Sequence, residues 1–230
     1  MGAGLFSDHL GSCLHLLRLC SPALPVGAYS YSQGLEWAVE EGWVRDEDGA
    51  AQWIIGLLQG PWTYLETPLM FRLHQAWADD DQPRAWAWNA VLLASRESAE
   101  MQAAETGMGQ ALARLLTELG LDKAQSWVAE FRATFAAMFA LATSRWGIQV
   151  EQACAGYLWT LTENQAAAAV KLVPLGQTAG QRILARALEA IPSAVAKGMS
   201  LADDEVGYSA PGLALASSLH ETQRTRLFRS

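Results

Sequence analysis

Basic side chains are scarce in this chain, and lysine most of all: Lys123, Lys171 and Lys197 are the only three in 230 residues. No basic stripe can be assembled from them, and a protein that tracks a nucleic-acid backbone needs one. Cysteine is as sparse. Cys13, Cys20 and Cys154 form an odd set without regular spacing, which excludes a disulfide framework and suits reduced, buried thiols of a cytosolic protein. Long apolar runs are missing too. The stretch Leu14–Leu19 is broken by Arg18, far short of the ~20 residues that span a bilayer, and no signal peptide is visible. Neither nucleic acid nor membrane is therefore expected as a partner. Period-two alternation is absent, and Val, Ile and Thr cluster only briefly in VKLVPL, so no strand is expected.

What the chain does hold is apolar. Hydrophobic residues make up 51% and charged residues 17%, which excludes disorder for most of it. A length of 230 residues is ample for a core in one large domain or two small ones. The net charge of −8 is lopsided: residues 1–81 carry eleven acids against three bases, and the remainder carries thirteen of each.

One stretch demands a special shape. In Ser21–Glu36, SPALPVGAYSYSQGLE, Pro22 and Pro25 fix φ and push Ser21 and Leu24 out of helical geometry, and Gly27 then frees the backbone. Tyr29 and Tyr31 fall on one side of an extended segment. Ser30, with Gln33 three residues on, reads as a capping box that opens a helix Gln33–Glu41, and Gly42 suits its left-handed close. Two readings stand: a rigid inter-helix loop with buried tyrosines, or a presented surface.

The rest reads as helices. In Asp8–Cys20, Leu10, Leu14 and Leu17 recur at helical spacing, and Leu16 and Leu19 widen the stripe; such a helix lies against its own core or against a partner. Asp46 caps a helix with Ala50, Trp53, Ile54, Leu57 and Leu58 inward, stopped by Gly60-Pro61. Thr67-Pro68 opens one that runs to about Trp77 and ends in Asp79–Asp81, and Pro83 opens another carrying Trp86 and Val91. Met101, Ala104, Met108, Leu112, Leu115 and Leu119 mark the clearest helix, closed by Gly120. Ser126 caps a helix bearing Phe131, Phe135, Met138 and Ala142 as far as Trp146-Gly147; Gln149–Leu161 and the alanine-rich Thr162–Val170 follow. KLVPLGQ is a break, and Thr178–Ile191 is helical again until Pro192 ends it. Asp203–Gly212, acidic with Gly and Pro, reads as a mobile linker. The expected fold is all-α, a single globular bundle of roughly eight to ten helices. It spans residues 1–230 as one domain, with the helix at about 8–20 and the tail at about 203–230 mobile until a partner binds.

No self-contained active site is legible. His9, Cys13 and Cys20 share a face of the first helix, but His9 and Cys20 lie more than about 15 Å apart along it and cannot share an ion. His9 with Cys13 supplies at most half a metal site. Gly107-Met108-Gly109 lacks the third glycine and the βαβ context of a nucleotide loop, and reads as a helix interior closely approached by a neighbour. His220-Glu221 begins like a zinc-protease motif, but no second histidine stands in place, and no G-x-S-x-G elbow appears. No catalytic residue, metal ligand or resident cofactor is assigned, and the pattern fits a protein that works by binding other proteins. In the tail, Arg224, Arg226 and Arg229 surround Leu227-Phe228. That is the composition of a docking peptide, and equally of a helix tail that folds back on its bundle.

Three separated segments carry a resemblance. SPALPVGAYSYSQGLE at 21–36, KLVPLGQ at 171–177 with the following Thr178-Ala179-Gly180-Gln181, and HETQRTRLFRS at 220–230 together resemble the UreF family of urease accessory proteins. The segment from Ser95-Arg96-Glu97-Ser98 through Met108-Gly109-Gln110 is similar to it as well, whereas residues 60–90 and 120–150 offer no diagnostic motif. The resemblance implies an all-helical, dimeric, cytoplasmic chaperone that is not itself an enzyme. It implies binding to the accessory protein UreD (also called UreH), recruitment and regulation of the GTP-hydrolysing nickel carrier UreG, and docking on apo-urease. No cofactor is implied as permanently bound; nickel would pass in transit. By position, Pro22, Pro25, Gly27 and Tyr29 would shape a presented surface with Glu36 polar at its edge. Lys171 would meet a carboxylate or phosphate on a partner, or pack its methylenes on the surface. His220, Glu221, Thr222, Gln223, Arg224, Arg226, Leu227, Phe228 and Arg229 would order on UreD. The alternative is a helical ligand-binding or regulatory protein without a GTPase partner, which would show one deep pocket lined by titratable residues.

Overall fold

The computed structural model describes residues 2–130 and 132–230. In chain order the helices are α1 (Gly2–Leu19), α2 (Leu35–Glu40), α3 (Glu47–Gln59), α4 (Thr67–Ala78), α5 (Gln82–Ala94) and α6 (Ala99–Glu118). Then come α7 (Gln125–Glu130), α8 (Phe135–Arg145), α9 (Val150–Leu172), α10 (Gln177–Leu188), α11 (Ile191–Met199) and α12 (Pro211–His220). The all-α expectation holds, with no strand among the described residues.

Composition decides which helix lies innermost. α8 is FAAMFALATSR, apolar all round, and every residue from Phe135 to Thr143 is buried, as such a helix must be. Its alanines let α4 cross it closely, with α6 and α9 on its flanks. Its first turn is satisfied from two sides. Thr134 Oγ1 accepts from the Ala137 amide (3.1 Å) and Glu105 Oε1 accepts from the Phe135 amide (2.8 Å), a hydroxyl cap and a carboxylate at the positive end of the helix. Trp77 of α4 donates its indole N–H to the Ala137 carbonyl (3.0 Å). The tightest approach is at Gly109 of α6, where a Cβ would stand 2.0 Å from the Ala133 carbonyl oxygen. The closely approached helix read from Gly107-Met108-Gly109 is thus found at Gly109.

The core also contains a charge. Arg96 donates to both oxygens of Glu66 and, from Nη2, to Glu105 Oε2 (2.6 Å); Tyr157 of α9 donates to Glu66 Oε2 (2.9 Å). The Arg96, Glu66 and Glu105 side chains are only 9%, 4% and 5% exposed. Burial disfavours the Arg96 charge, but the two carboxylates more than offset it and hold the guanidinium well above its ordinary pKa. Burial first, then the same carboxylates, pushes the Tyr157 phenol up.

Several boundaries differ from those expected. Thr67-Pro68 does not open a fresh helix: a π-turn over Trp62–Glu66 runs straight into α4, and the Thr67 hydroxyl donates back to the Trp62 carbonyl (2.7 Å). Pro68 has no N–H for the Tyr64 carbonyl, and the Gly207 amide takes that place at 3.0 Å. The segment 203–212, expected as a mobile linker, is tied to the bundle here. Asp203 pairs with buried Arg72 (2.7 Å) and Tyr208 stacks on Tyr64 (5.7 Å between centroids), while Ser209 donates to Glu97 (3.0 Å). The single helix expected from Ser126 to Trp146 is split into α7 and α8 by the Thr134 cap; Phe131, expected on its inner side, lies outside the described residues. Conversely, Gln149–Leu161 and Thr162–Val170 join into the unbroken α9, since no residue between them lacks an amide or forces a turn. Pro192 does not end a helix but sits in the first turn of α11, where a missing N–H costs nothing.

Two glycines test this packing in opposite directions. Gly109→Ala is expected to lose about 2 kcal/mol or more by overpacking. Gly56→Ala, in the exposed interior of α3 with nothing within 4 Å of the added Cβ, should gain roughly 0.5–1 kcal/mol. Urea unfolding midpoints read both. Arg96→Met leaves two carboxylates facing each other out of water, and a loss of about 3–5 kcal/mol is expected in the same assay.

Candidate partner-docking site

The stretch after α1 forms a knotty loop, and its shape follows from its residues. Pro22 and Pro25 are exposed at its turns, and the Leu24 amide donates to the Ser21 carbonyl (2.9 Å). Gly27 takes φ 76°, and Ala28–Ser30 make a single 3₁₀ turn. The expected extended segment with two tyrosines on one side is therefore not formed: Tyr29 is thrown outward, 69% exposed, and Tyr31 is half-buried. The expected capping box is not formed either. Gln33 and Gly34 both have positive φ (52° and 83°), and α2 starts from Gly34 without a side-chain cap.

The loop is pinned from below by α9. Asn164 Nδ2 donates to the Tyr31 carbonyl (3.0 Å) and Gln165 Nε2 to the Ser32 carbonyl (2.8 Å), while Trp53 of α3 holds Gln165 Oε1 (3.2 Å). The other sides of the same residues receive the tail. The Arg229 amide donates to the Ser30 carbonyl (2.8 Å), and the amides of Ser32 and Gln33 and the Ser32 hydroxyl all donate to the Ser230 carbonyl oxygen (2.5, 3.0 and 2.6 Å). Residues 221–230 are thus a strap, seated across the loop.

Charge fastens the strap. Glu36, expected at the edge of a presented surface, is instead 7% exposed beneath it. Its carboxylate accepts from the amides of Leu227 (2.6 Å) and Phe228 (2.9 Å), and His220 Nε2 lies 3.1 Å away. His220 Nδ1 meets Glu100 of α6 at 2.6 Å, and Arg226 donates to the other Glu100 oxygen at 2.6 Å. Glu221 accepts from the first amides of α6, Ala99 (3.0 Å) and Glu100 (3.4 Å), and Gln223 donates to Glu40 and to the Thr225 carbonyl (3.0 Å). Phe228 is buried, and the Lys171 ammonium stands 5.5 Å from its ring centroid, a cation–π contact. The three sequence segments singled out above, 21–36, 171–177 and 220–230, therefore meet in space.

The residues sort by exposure. Glu36, His220 and Phe228 face inward and hold the strap. Pro22, Pro25, Tyr29, Lys171, Glu221, Thr222, Arg224, Arg226, Leu227 and Arg229 are exposed around it, and Gly27 and Gln223 are half-buried. Glu100, Ser32, Asn164 and Gln165 complete the site and were not singled out from the sequence. The one legible signal was the polar pair Asn164-Gln165 beside the alanines of α9.

Beneath the loop, a recess of about 80 Å³ is lined by Leu19, Cys20, Leu24, Tyr29, Phe135 and Glu163 among others. Burial raises the Glu163 carboxyl, and it pushes the Cys20 thiol up to about 11 and the Cys154 thiol up to about 12, which leaves neither thiol reactive. Cys13 is exposed. Among the described residues no group of three or more His, Cys, Asp or Glu side chains is placed to hold a metal ion.

Removing residues 222–230 takes two donors from a buried carboxylate and one aromatic ring from the core. A stability loss of at least about 2 kcal/mol is expected, read by thermal or urea unfolding of the shortened chain.

Comparison with known proteins gives the same family from a family model and from individual relatives. A family model described as UreF matches residues 44–188. The chain is 50% identical over 215 residues to the urease accessory protein UreF of Alkalilimnicola ehrlichii, covering 94% of each. It is 48% identical over 222 residues to that of Azoarcus sp. (94% of this chain, 95% of the relative). It is 47% identical over 217 residues to the urease accessory protein UreF 2 of Brucella anthropi (94% and 96%). The loop and the strap both lie outside the segment matched by the family model and within a chain whose relatives align over nearly their whole length. The chain belongs to the UreF family of urease accessory proteins.

Proposed function

We propose that this chain works in urease maturation as an adaptor that binds rather than catalyses. In this reading it pairs with UreD, and together they bring the GTPase UreG and apo-urease into one assembly. Nickel is the cargo of that assembly and passes to the urease; the chain regulates the GTPase, acts as a homodimer and works in the cytoplasm. The observation that supports this most is the convergence of the loop, the end of α9 and the strap. Their inward residues are fully engaged with one another, and Tyr29, Leu227, Arg224 and Arg229 stand exposed around them to meet a partner. Tyr29 and Leu227, 69% and 67% exposed, are the large side chains there, and the arginines Arg224, Arg226 and Arg229 surround Leu227. An exposed aromatic, an exposed leucine and arginines are the composition of an interface anchor.

The test is a binding titration of the full chain against UreD. The pair of changes Tyr29→Ala and Leu227→Asp touches no residue that holds the strap through its side chain. It should leave unfolding unchanged while weakening UreD binding by about 2 kcal/mol or more, the scale of a hot spot. Unchanged affinity would remove this face from the proposal.

A further inference from the structure

His220 is fully enclosed, and both of its ring nitrogens face carboxylates: Nδ1 lies 2.6 Å from Glu100 Oε2 and Nε2 lies 3.1 Å from Glu36 Oε2. An ionised carboxylate only accepts hydrogen bonds, and a neutral imidazole has one N–H to give. Two such contacts need a proton on each nitrogen. With the ring so charged, the four groups balance: His220 and Arg226 positive, Glu36 and Glu100 negative. With one ring proton gone, a lone pair faces a carboxylate where water does not reach, and the group carries a net negative charge. That arrangement is strongly disfavoured.

The surroundings offer no substitute donor. From α2 the ring meets Glu36, from α6 Glu100, and from the strap Arg226 closes on Glu100 (2.6 Å). Glu221 is turned to the amides of Ala99 and Glu100, and Gln223 to Glu40. Ser98, just before α6, is occupied by Ser217 one turn before His220 (2.6 Å). Among the described residues no further charged side chain pairs with any of the four.

We propose that His220 is a proton-operated latch for residues 221–230. Glu36 is the pivot, because the same carboxylate that meets the ring also holds the Leu227 and Phe228 amides. While both ring nitrogens carry protons, the carboxylate is held in place and the strap is seated. As pH rises and the ring loses a proton, Glu36 or Glu100 is repelled, the two amides lose their acceptor, and the strap lifts from the loop. Lifting uncovers the amides of Ser32 and Gln33 and the seat of Phe228.

The experiment follows the ring and the strap in the full chain. Nitrogen-15 NMR of labelled histidine reads the ring's protonation from slightly acid to alkaline pH, and amide exchange at Leu227 and Phe228, expressed as protection factors, reads the seating. The expected result is a ring protonated on both nitrogens while the amides are protected. Their protection should then fall about tenfold or more across the ring's own titration, the consequence of losing charge-assisted bonds, while α8 amides stay unchanged. In His220→Gln the pH dependence should vanish. A singly protonated ring under a seated strap would mean that a carboxylic acid proton fills one contact, and would overturn the proposal. So would protection that stays level across the ring's titration, or that keeps its pH dependence in His220→Gln. If that variant does not fold, the two wild-type measurements decide alone.

Discussion

The guanidinium of Arg96 is the constraint on which the rest of the molecule depends. It stands where four elements join: the π-turn before α4 through Glu66, α6 through Glu105, the first turn of α8 through that same Glu105, and α9 through Tyr157 on Glu66. A charge taken out of water is a poor source of net stability, but it is intolerant of a missing partner. A bundle of alanine-rich helices can slide with little loss of apolar contact. This cluster forbids sliding, because any shift of α6 or α9 relative to α4 strips a buried group of its partner. The π-turn fits the same demand: its wider turn carries Glu66 inward, and Pro68 after it releases the Tyr64 carbonyl to the Gly207 amide.

A second, partly buried assembly of charge repeats the logic at the surface. Glu36, Glu100, His220 and Arg226 come from α2, α6, the end of α12 and the strap. They satisfy one another only when the strap is seated. The difference lies in what is fastened. Arg96 fixes helices that are also held by a continuous apolar core. The second group fixes ten residues whose one large buried side chain is Phe228. The same kind of interaction therefore yields a permanent joint in the first case and a separable one in the second.

Helix positions, the break at KLVPLGQ and the closing glycines were legible because each is decided within a few residues, by spacing, caps and turn chemistry. Pro192 was misread because a proline that ends one helix and a proline that starts the next look alike until the neighbouring amides are counted. The join of α9 was missed because alanine runs carry no period. The site was legible in its parts and not in its geometry. Glu36 looked like an edge residue because two of its three partners, the amides of Leu227 and Phe228, are backbone groups with no signature in the side-chain sequence. Asp203–Gly212 looked loose by composition, yet Arg72 and Tyr64, more than a hundred residues earlier, hold it.

The Ser32–Ser230 contact spans 198 positions of sequence, which sets an order of events during synthesis. The loop leaves the ribosome well before the strap, and its amides, Glu36 and the hollow for Phe228 have no occupant until the strap arrives. At about 5–20 residues per second the wait is roughly 10–40 s, far longer than the formation of any helix. For that interval the newborn chain carries an unfilled groove with the Glu36 carboxylate uncovered at its base. The strap is then synthesised long after the groove that it fills, and its arrival closes that groove.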